Sequence, residues 1–124
     1  MKKILVIDDE PYITDIIRLF SERLDCIADA AHSVNDAMDK LHAADSDYWA
    51  VFCDLKMPGL SGLEIFNVVS DVKKNGPLRF ALLTGSIPND EVMDMLREKK
   101  IRYFRKPFTS QDFKSVMTEM EQMD

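Results

Sequence analysis

The sequence predicts an α/β domain in which five strand–helix pairs wind one mostly parallel sheet, with helices covering both faces. Three observations carry this expectation. Short apolar runs without alternation, such as residues 3–7, 51–53 and 78–83, suit strands buried on both faces. Each is followed, after a cap or turn signal, by apolar residues at helical spacing. At 124 residues with 46% hydrophobic content, the chain is long enough for one core, so residues 1–124 read as a single domain. Right-handed crossovers and two covered faces point to the strand order 2-1-3-4-5, the flavodoxin-like doubly wound arrangement, with its switch point between strands one and three.

The elements follow in order. Lys3-Ile4-Leu5-Val6-Ile7 is a continuous strand-like run that ends in Asp8-Asp9-Glu10. Pro11 then suits the first turn of a helix, where its missing N–H is not needed, and Ile13, Ile16, Ile17, Phe20 and Leu24 keep helical spacing. Leu19 falls off that stripe. Residues 26–30 read as a weaker strand, and Ser33, with Asp36 three residues on, opens a helix through Met38 and Leu41. The third strand, residues 50–53, begins beside Trp49 and delivers Asp54 to a Pro58-Gly59 turn. Ser61-Gly62-Leu63-Glu64 then makes a capping box for a helix bearing Leu63, Phe66, Val69 and Val72 and ending near Asn75-Gly76-Pro77. Residues 78–83 form the fourth strand, running into Thr84-Gly85-Ser86. Pro88-Asn89-Asp90-Glu91 opens a helix with Val92, Met95 and Leu96, and its end, Arg97-Glu98-Lys99-Lys100, reads as solvated. Residues 101–104 give a short fifth strand broken by Lys106-Pro107. Thr109 and Asp112 cap a last helix bearing Phe113, Val116, Met117 and Met120. The helical methionines read as adaptable core filler.

Composition excludes several function classes. Sixteen Lys plus Arg against 22 Asp plus Glu leaves a net charge of −6, which offers nucleic acid no electrostatic footprint. No apolar run approaches the ~20 residues of a membrane span, and the Met-Lys-Lys start shows no cleavable leader, so a cytoplasmic protein is expected. Cys26 and Cys53 both fall in predicted strands without a second Cys or a His at metal-ligand spacing, and read as inert core thiols.

Function is expected at the carboxyl ends of strands one and three, where ligands bind in sheets of this order. Asp8, Asp9 and Asp54 converge there. Three adjacent carboxylates repel one another and raise one another's pKa, an arrangement that a divalent cation relieves. Oxygen ligands favour Mg²⁺ over zinc, and neither His32 nor His42 is expected on the ligand edge. Thr84 adds a hydroxyl to the same edge. Taken singly, Asp54 could be a turn residue capping its own loop, Lys106 a solvated lysine, Thr84 a helix cap and Tyr103 a core aromatic.

Together, Asp8-Asp9 after the first strand, Asp54-Leu55-Lys56-Met57-Pro58-Gly59 after the third, Thr84-Gly85 after the fourth and Lys106-Pro107 after the fifth form a specific pattern. From about Lys3 to about Met120 the chain resembles the receiver domain of bacterial two-component response regulators, of the chemotaxis-regulator kind. The resemblance implies a phosphorylation-dependent signalling switch rather than an enzyme acting on external substrates. Asp54 would accept a phosphoryl group from a sensor histidine kinase or histidine phosphotransfer protein. Mg²⁺ would be held by Asp9 directly, by Asp54, by Asp8 mainly through water and by the Lys56 carbonyl. Lys106 would pair with the phosphoryl oxygens and Thr84 would hydrogen-bond to them. Tyr103 would change rotamer on activation, altering the surface of helix four, strand five and helix five. The Lys106–Pro107 peptide would be cis. The signal would pass to an output domain or a downstream protein, with homodimerisation on activation as one route. Two rivals fit less well. A phosphohydrolase with an Asp nucleophile would carry Asp-x-Asp where this chain has adjacent acids, and a flavodoxin-like binding module would need a hydroxyl-rich phosphate loop where this chain has Asp-Asp-Glu-Pro.

Overall fold

The computed structural model describes residues 2–43, 47–73 and 76–123. Strands and helices alternate: β1 (Lys2–Ile7), α1 (Pro11–Glu22), β2 (Cys26–Ala31), α2 (Val34–His42), β3 (Ala50–Asp54), α3 (Gly62–Val72), β4 (Phe80–Thr84), α4 (Asp90–Lys99), β5 (Arg102–Arg105) and α5 (Ser110–Glu121). The strands form one five-stranded sheet in the order β2-β1-β3-β4-β5, with every pairing parallel. The fold class and strand order expected from the sequence are therefore the ones observed.

The two-residue repeat of each strand divides the core. Ile4, Val6, Phe52, Ala81, Leu83 and Phe104 face α1 and α5, while Leu5, Ile7, Val51, Cys53 and Leu82 face α2, α3 and α4. On the first side Phe52 packs against Phe104 and Phe113, ring centroids 5.9 and 5.3 Å apart. Buried on both faces, the strands have no polar side to alternate with, which is why they read as continuous apolar runs.

Helix starts follow the local chemistry. Ser33 accepts from the Asp36 N–H, Asn89 from Val92, and both Ser61 with Glu64 and Thr109 with Asp112 complete reciprocal capping boxes. Strand limits differ from the expected ones by one or two residues. The fourth strand starts at Phe80 rather than Leu78 and includes Thr84, because Asp54 and Leu55 continue to pair with Leu83 beyond the apolar run. The fifth covers Arg102–Arg105, since Ile101 closes α4 instead: its N–H bonds to the Leu96 carbonyl after Lys100 adopts φ 57°. The third helix ends at Val72, and Asn75, part of its expected stop signal, lies outside the described residues. Leu19 is exposed, and Cys26 and Cys53 are buried free thiols, as expected. Among the described residues no helix is long and apolar enough to cross a membrane.

One glycine sets how closely α3 approaches β3. A Cβ on Gly62 would lie 2.6 Å from Leu82 Cδ2, 2.8 Å from the Asp54 carbonyl and 3.0 Å from Leu55 Cα, and its N–H already holds the Leu55 carbonyl at 2.8 Å. Two of the three clashes are with backbone, which yields less readily than a side chain. Gly62→Ala is expected to destabilise the protein by about 1–3 kcal/mol, the usual range for overpacking, read as a lower urea midpoint at unchanged slope.

Candidate functional site

The carboxyl ends of β1, β3, β4 and β5 meet at one edge. Asp8 follows β1, held by its N–H on the Ala31 carbonyl of β2 (3.0 Å), and is fully buried. Its Oδ1 accepts the Glu10 N–H at 2.9 Å. Its Oδ2, also buried, takes no well-formed hydrogen bond among the described residues, and its compensation is the Lys106 ammonium 2.8 Å away. Asp54 ends β3 and is 8% exposed; its Oδ1 accepts the Lys56 N–H at 3.4 Å and its Oδ2 lies 3.7 Å from Lys106 Nζ.

Lys106 enters this edge because its own N–H bonds to the Thr84 carbonyl at 2.7 Å, just before a cis Lys106–Pro107 peptide. The ammonium therefore lies among three acids, the third being Glu10 at 3.9 Å. Asp9 is exposed, and one carboxylate oxygen each from Asp8, Asp9 and Glu10 can be chosen so that all lie within 4.8 Å of one another.

Charge balance follows from this crowding. Burial raises the Asp54 pKa above its ordinary value, repulsion from Asp8 adds to the shift, and Lys106 and the Lys56 N–H oppose it. For Lys106, burial alone would lower the pKa, but the close Asp8 carboxylate, with Asp54 and Glu10 behind it, leaves it raised. Burial, with Asp54 and Asp8 nearby, pushes the Cys53 thiol well above its usual range, so the thiol beside Asp54 is inert.

Four carboxylates against one ammonium leave surplus negative charge at an oxygen-rich edge, a donor set that fits a hard divalent cation. The two oxygens of Asp8 are already engaged by Glu10 and Lys106, whereas Asp9 faces solvent.

The remaining expected site residues are placed as follows. Thr84, 3% exposed at the end of β4, turns its hydroxyl into its own loop, donating to the Ser86 carbonyl at 2.7 Å and accepting the Ser86 N–H at 3.2 Å. Tyr103 lies on β5 and is 37% exposed. Lys56 is exposed just past Asp54. One expectation is corrected. His32 does stand at the carboxyl edge, directly after β2, where its Nε2 bonds to the buried Thr14 hydroxyl (2.9 Å), which itself donates to the Pro11 carbonyl. It is not in the group of possible metal ligands. In the sequence Glu10 shows only as an acid following the first strand, because its approach to Lys106 depends on how the fifth strand is docked.

The profile of the response regulator receiver domain matches residues 4–118. The chain belongs to this family. A chemotaxis protein CheY homolog of Campylobacter jejuni is 31% identical over 120 residues, covering 95% of this chain and 91% of that protein. The transcriptional regulatory protein ResD of Bacillus subtilis is 32% identical over 87 residues, 70% of this chain but only 35% of ResD. Among solved structures, response regulator TrrA of Thermotoga maritima, in complex with Mg²⁺-BeF, superposes with a TM-score of 0.78 at 28% identity, covering 97% of this receiver and 99% of that chain. A receiver domain protein of Clostridium thermocellum does so at 0.77 and 29%, covering 97% of this receiver and 94% of that chain.

The raised Asp54 pKa sets a sign for the pH dependence of the metal-free receiver. When the native state holds a proton more tightly than the unfolded state, stability falls as pH rises through the window between the ordinary carboxylate range and the raised value. In chelator, Asp54→Asn is expected to melt above the wild type at neutral pH, with the gain disappearing at pH below the ordinary carboxylate range. Calorimetric melting temperatures across that range check it; a gain equal at both ends contradicts it.

Proposed function

We propose that this receiver is a Mg²⁺-dependent phosphoryl switch in which Asp54 accepts the group from a phosphohistidine of a sensor kinase or phosphotransfer protein. The observation that carries the proposal is the Lys106 ammonium between the buried carboxylates of Asp8 and Asp54. In the transfer, an Asp54 carboxylate oxygen forms the new O–P bond as the N–P bond to the donor imidazole breaks. The bound cation would neutralise phosphoryl charge; Asp9 would hold it directly with Asp54 and the Lys56 carbonyl, and Asp8 mainly through water.

The chain's own residues do the rest. Lys106 is positioned to move from Asp8 toward the arriving phosphoryl oxygens, a step favoured once positive charge satisfies Asp8. Thr84 must leave Ser86 to donate to the same oxygens, and the space it vacates favours an inward turn of Tyr103. The face formed by α4, β5 and α5 is then the readout, through a homodimer, a downstream protein or an output domain. Residues 1–124 act in this reading as one cytoplasmic receiver domain, without turnover of external substrates and without binding nucleic acid or membrane.

Beryllofluoride with Mg²⁺ is expected to load the wild type and not Asp54→Asn, because the amide is neither nucleophile nor anionic ligand. Amide shifts on loading should include Thr84, Tyr103 and the α4–β5–α5 face. Asp9→Ala should weaken Mg²⁺ binding more than Asp8→Ala, as measured by titration; equal losses reverse the assignment of the direct ligand.

Lys56 is exposed two residues after Asp54, where its cation would stabilise the phosphorylated ground state and cannot accept a proton from an attacking water while charged. Lys56→Asn is expected to lose its phosphoryl group a few-fold faster in excess Mg²⁺ without kinase. An unchanged or slower decay removes this role.

A further inference from the structure

At the opposite, amino edge of the sheet, Arg79 joins three elements. It directly precedes β4, and its backbone is pinned by the Val51 N–H on its carbonyl at 3.0 Å. Its Nε donates to the Met120 carbonyl in the last turn of α5 at 2.8 Å and its Nη2 to the Met123 carbonyl, two residues past the helix, at 3.3 Å. The guanidinium carbon lies 4.4 Å from the centroid of the Trp49 ring, over which Lys2 also sits at 5.2 Å.

The sequence of α5 explains why an outside cation matters here. Its last turn holds no basic residue, although the helix dipole favours cations there, and it carries Glu119 and Glu121 instead. Arg79 supplies the missing charge and two directional donors. Arg102 of β5 adds a second cation, paired with Glu119 and 3.8 Å from the Met123 sulfur. A planar guanidinium lies flat on an indole while its fixed fork holds two carbonyls, whereas an ammonium has donors but neither the flat face nor the fixed fork.

We propose that Arg79, stacked on Trp49, is a latch that keeps the last turn of α5 and Met123 folded onto the amino edge of the sheet. The device is separate from the phosphoryl-accepting edge and does not rest on the function proposed for it. Its release is a local opening of residues 120–123, not an unfolding of the domain. Trp49 is the only tryptophan in the chain, so its emission reports the state of the latch.

Amide hydrogen exchange on the full chain tests this. The informative amides are those of Gln122 and Met123, which bond back to Glu119 and Met120. Arg79→Ala is expected to speed their exchange on the order of tenfold, as loss of a charge-assisted cap should. The Trp49 emission should shift to the red, while exchange in β1 and β3 and loading by Mg²⁺ and beryllofluoride stay at wild-type levels. Arg79→Lys, which keeps the charge and some donors but not the planar fork, should speed the same two amides by a smaller factor, and it decides the matter should the alanine variant not fold. Unchanged exchange at Gln122 and Met123 would overturn the latch. Equal acceleration throughout the sheet would overturn it too, making Arg79 a support of the whole fold, and loss of beryllofluoride loading would overturn its separateness.

Discussion

A single ammonium among several acids is the constraint on which the rest of this molecule depends. Asp8 is fully buried, and one of its oxygens is compensated by Lys106 at 2.8 Å. A buried carboxylate left without such a partner is strongly unfavourable, so the first and fifth strands must finish close together. Neither strand can do so by itself. β1 and β5 are separated in the sheet by β3 and β4, and Lys106 reaches across because its backbone is tied to Thr84 at the end of β4. The pair that holds the resting edge together is also the pair a divalent cation would compete with, so stability and ligand response draw on the same contacts.

The two faces of the sheet are held unequally. Toward α1 and α5, stacked, tilted and edge-on rings of Phe20, Phe52, Phe104, Phe108 and Phe113 join the sheet to both helices. On the other face α4 is anchored mainly by Leu96, its one fully buried side chain, with Val92 and Met93 half-covered. Helices with few buried apolar contacts open at low free energy. The element beside Thr84 is thus one that can move at little expense, which supports the readout proposed for it rather than one on α1.

Much of the site was legible because its residues stand in regular places. An acid directly after an apolar strand has a plain geometric meaning in a parallel sheet, so Asp8, Asp9 and Asp54 follow from strand order, whereas Lys106 joins them only through the resemblance to the receiver family. The capping boxes at Ser61 and Thr109 were equally plain, since they are made by neighbours in the chain. The features not legible in the sequence are set by contacts between distant segments. From the sequence His32 reads as a surface residue of the second strand–helix unit, yet the pairing of Ala31 with Ile7 carries it to the edge. Glu10 gained its place beside Lys106 only through the docking of β5, and the Thr84 hydroxyl chose Ser86 over the carboxylates.

By itself, then, the sequence determined the period and burial of each strand, the order of the elements, the caps and the acids at strand ends, because these follow from local propensity and from the need to cover both faces of a parallel sheet. The tertiary structure alone decided which acid holds Lys106, where the Thr84 hydroxyl points, and that Arg79 closes the end of α5. Those are choices among nearly equivalent charged and polar partners. They turn on distances of an ångström or two between segments far apart in the chain, and local pattern carries no information about them.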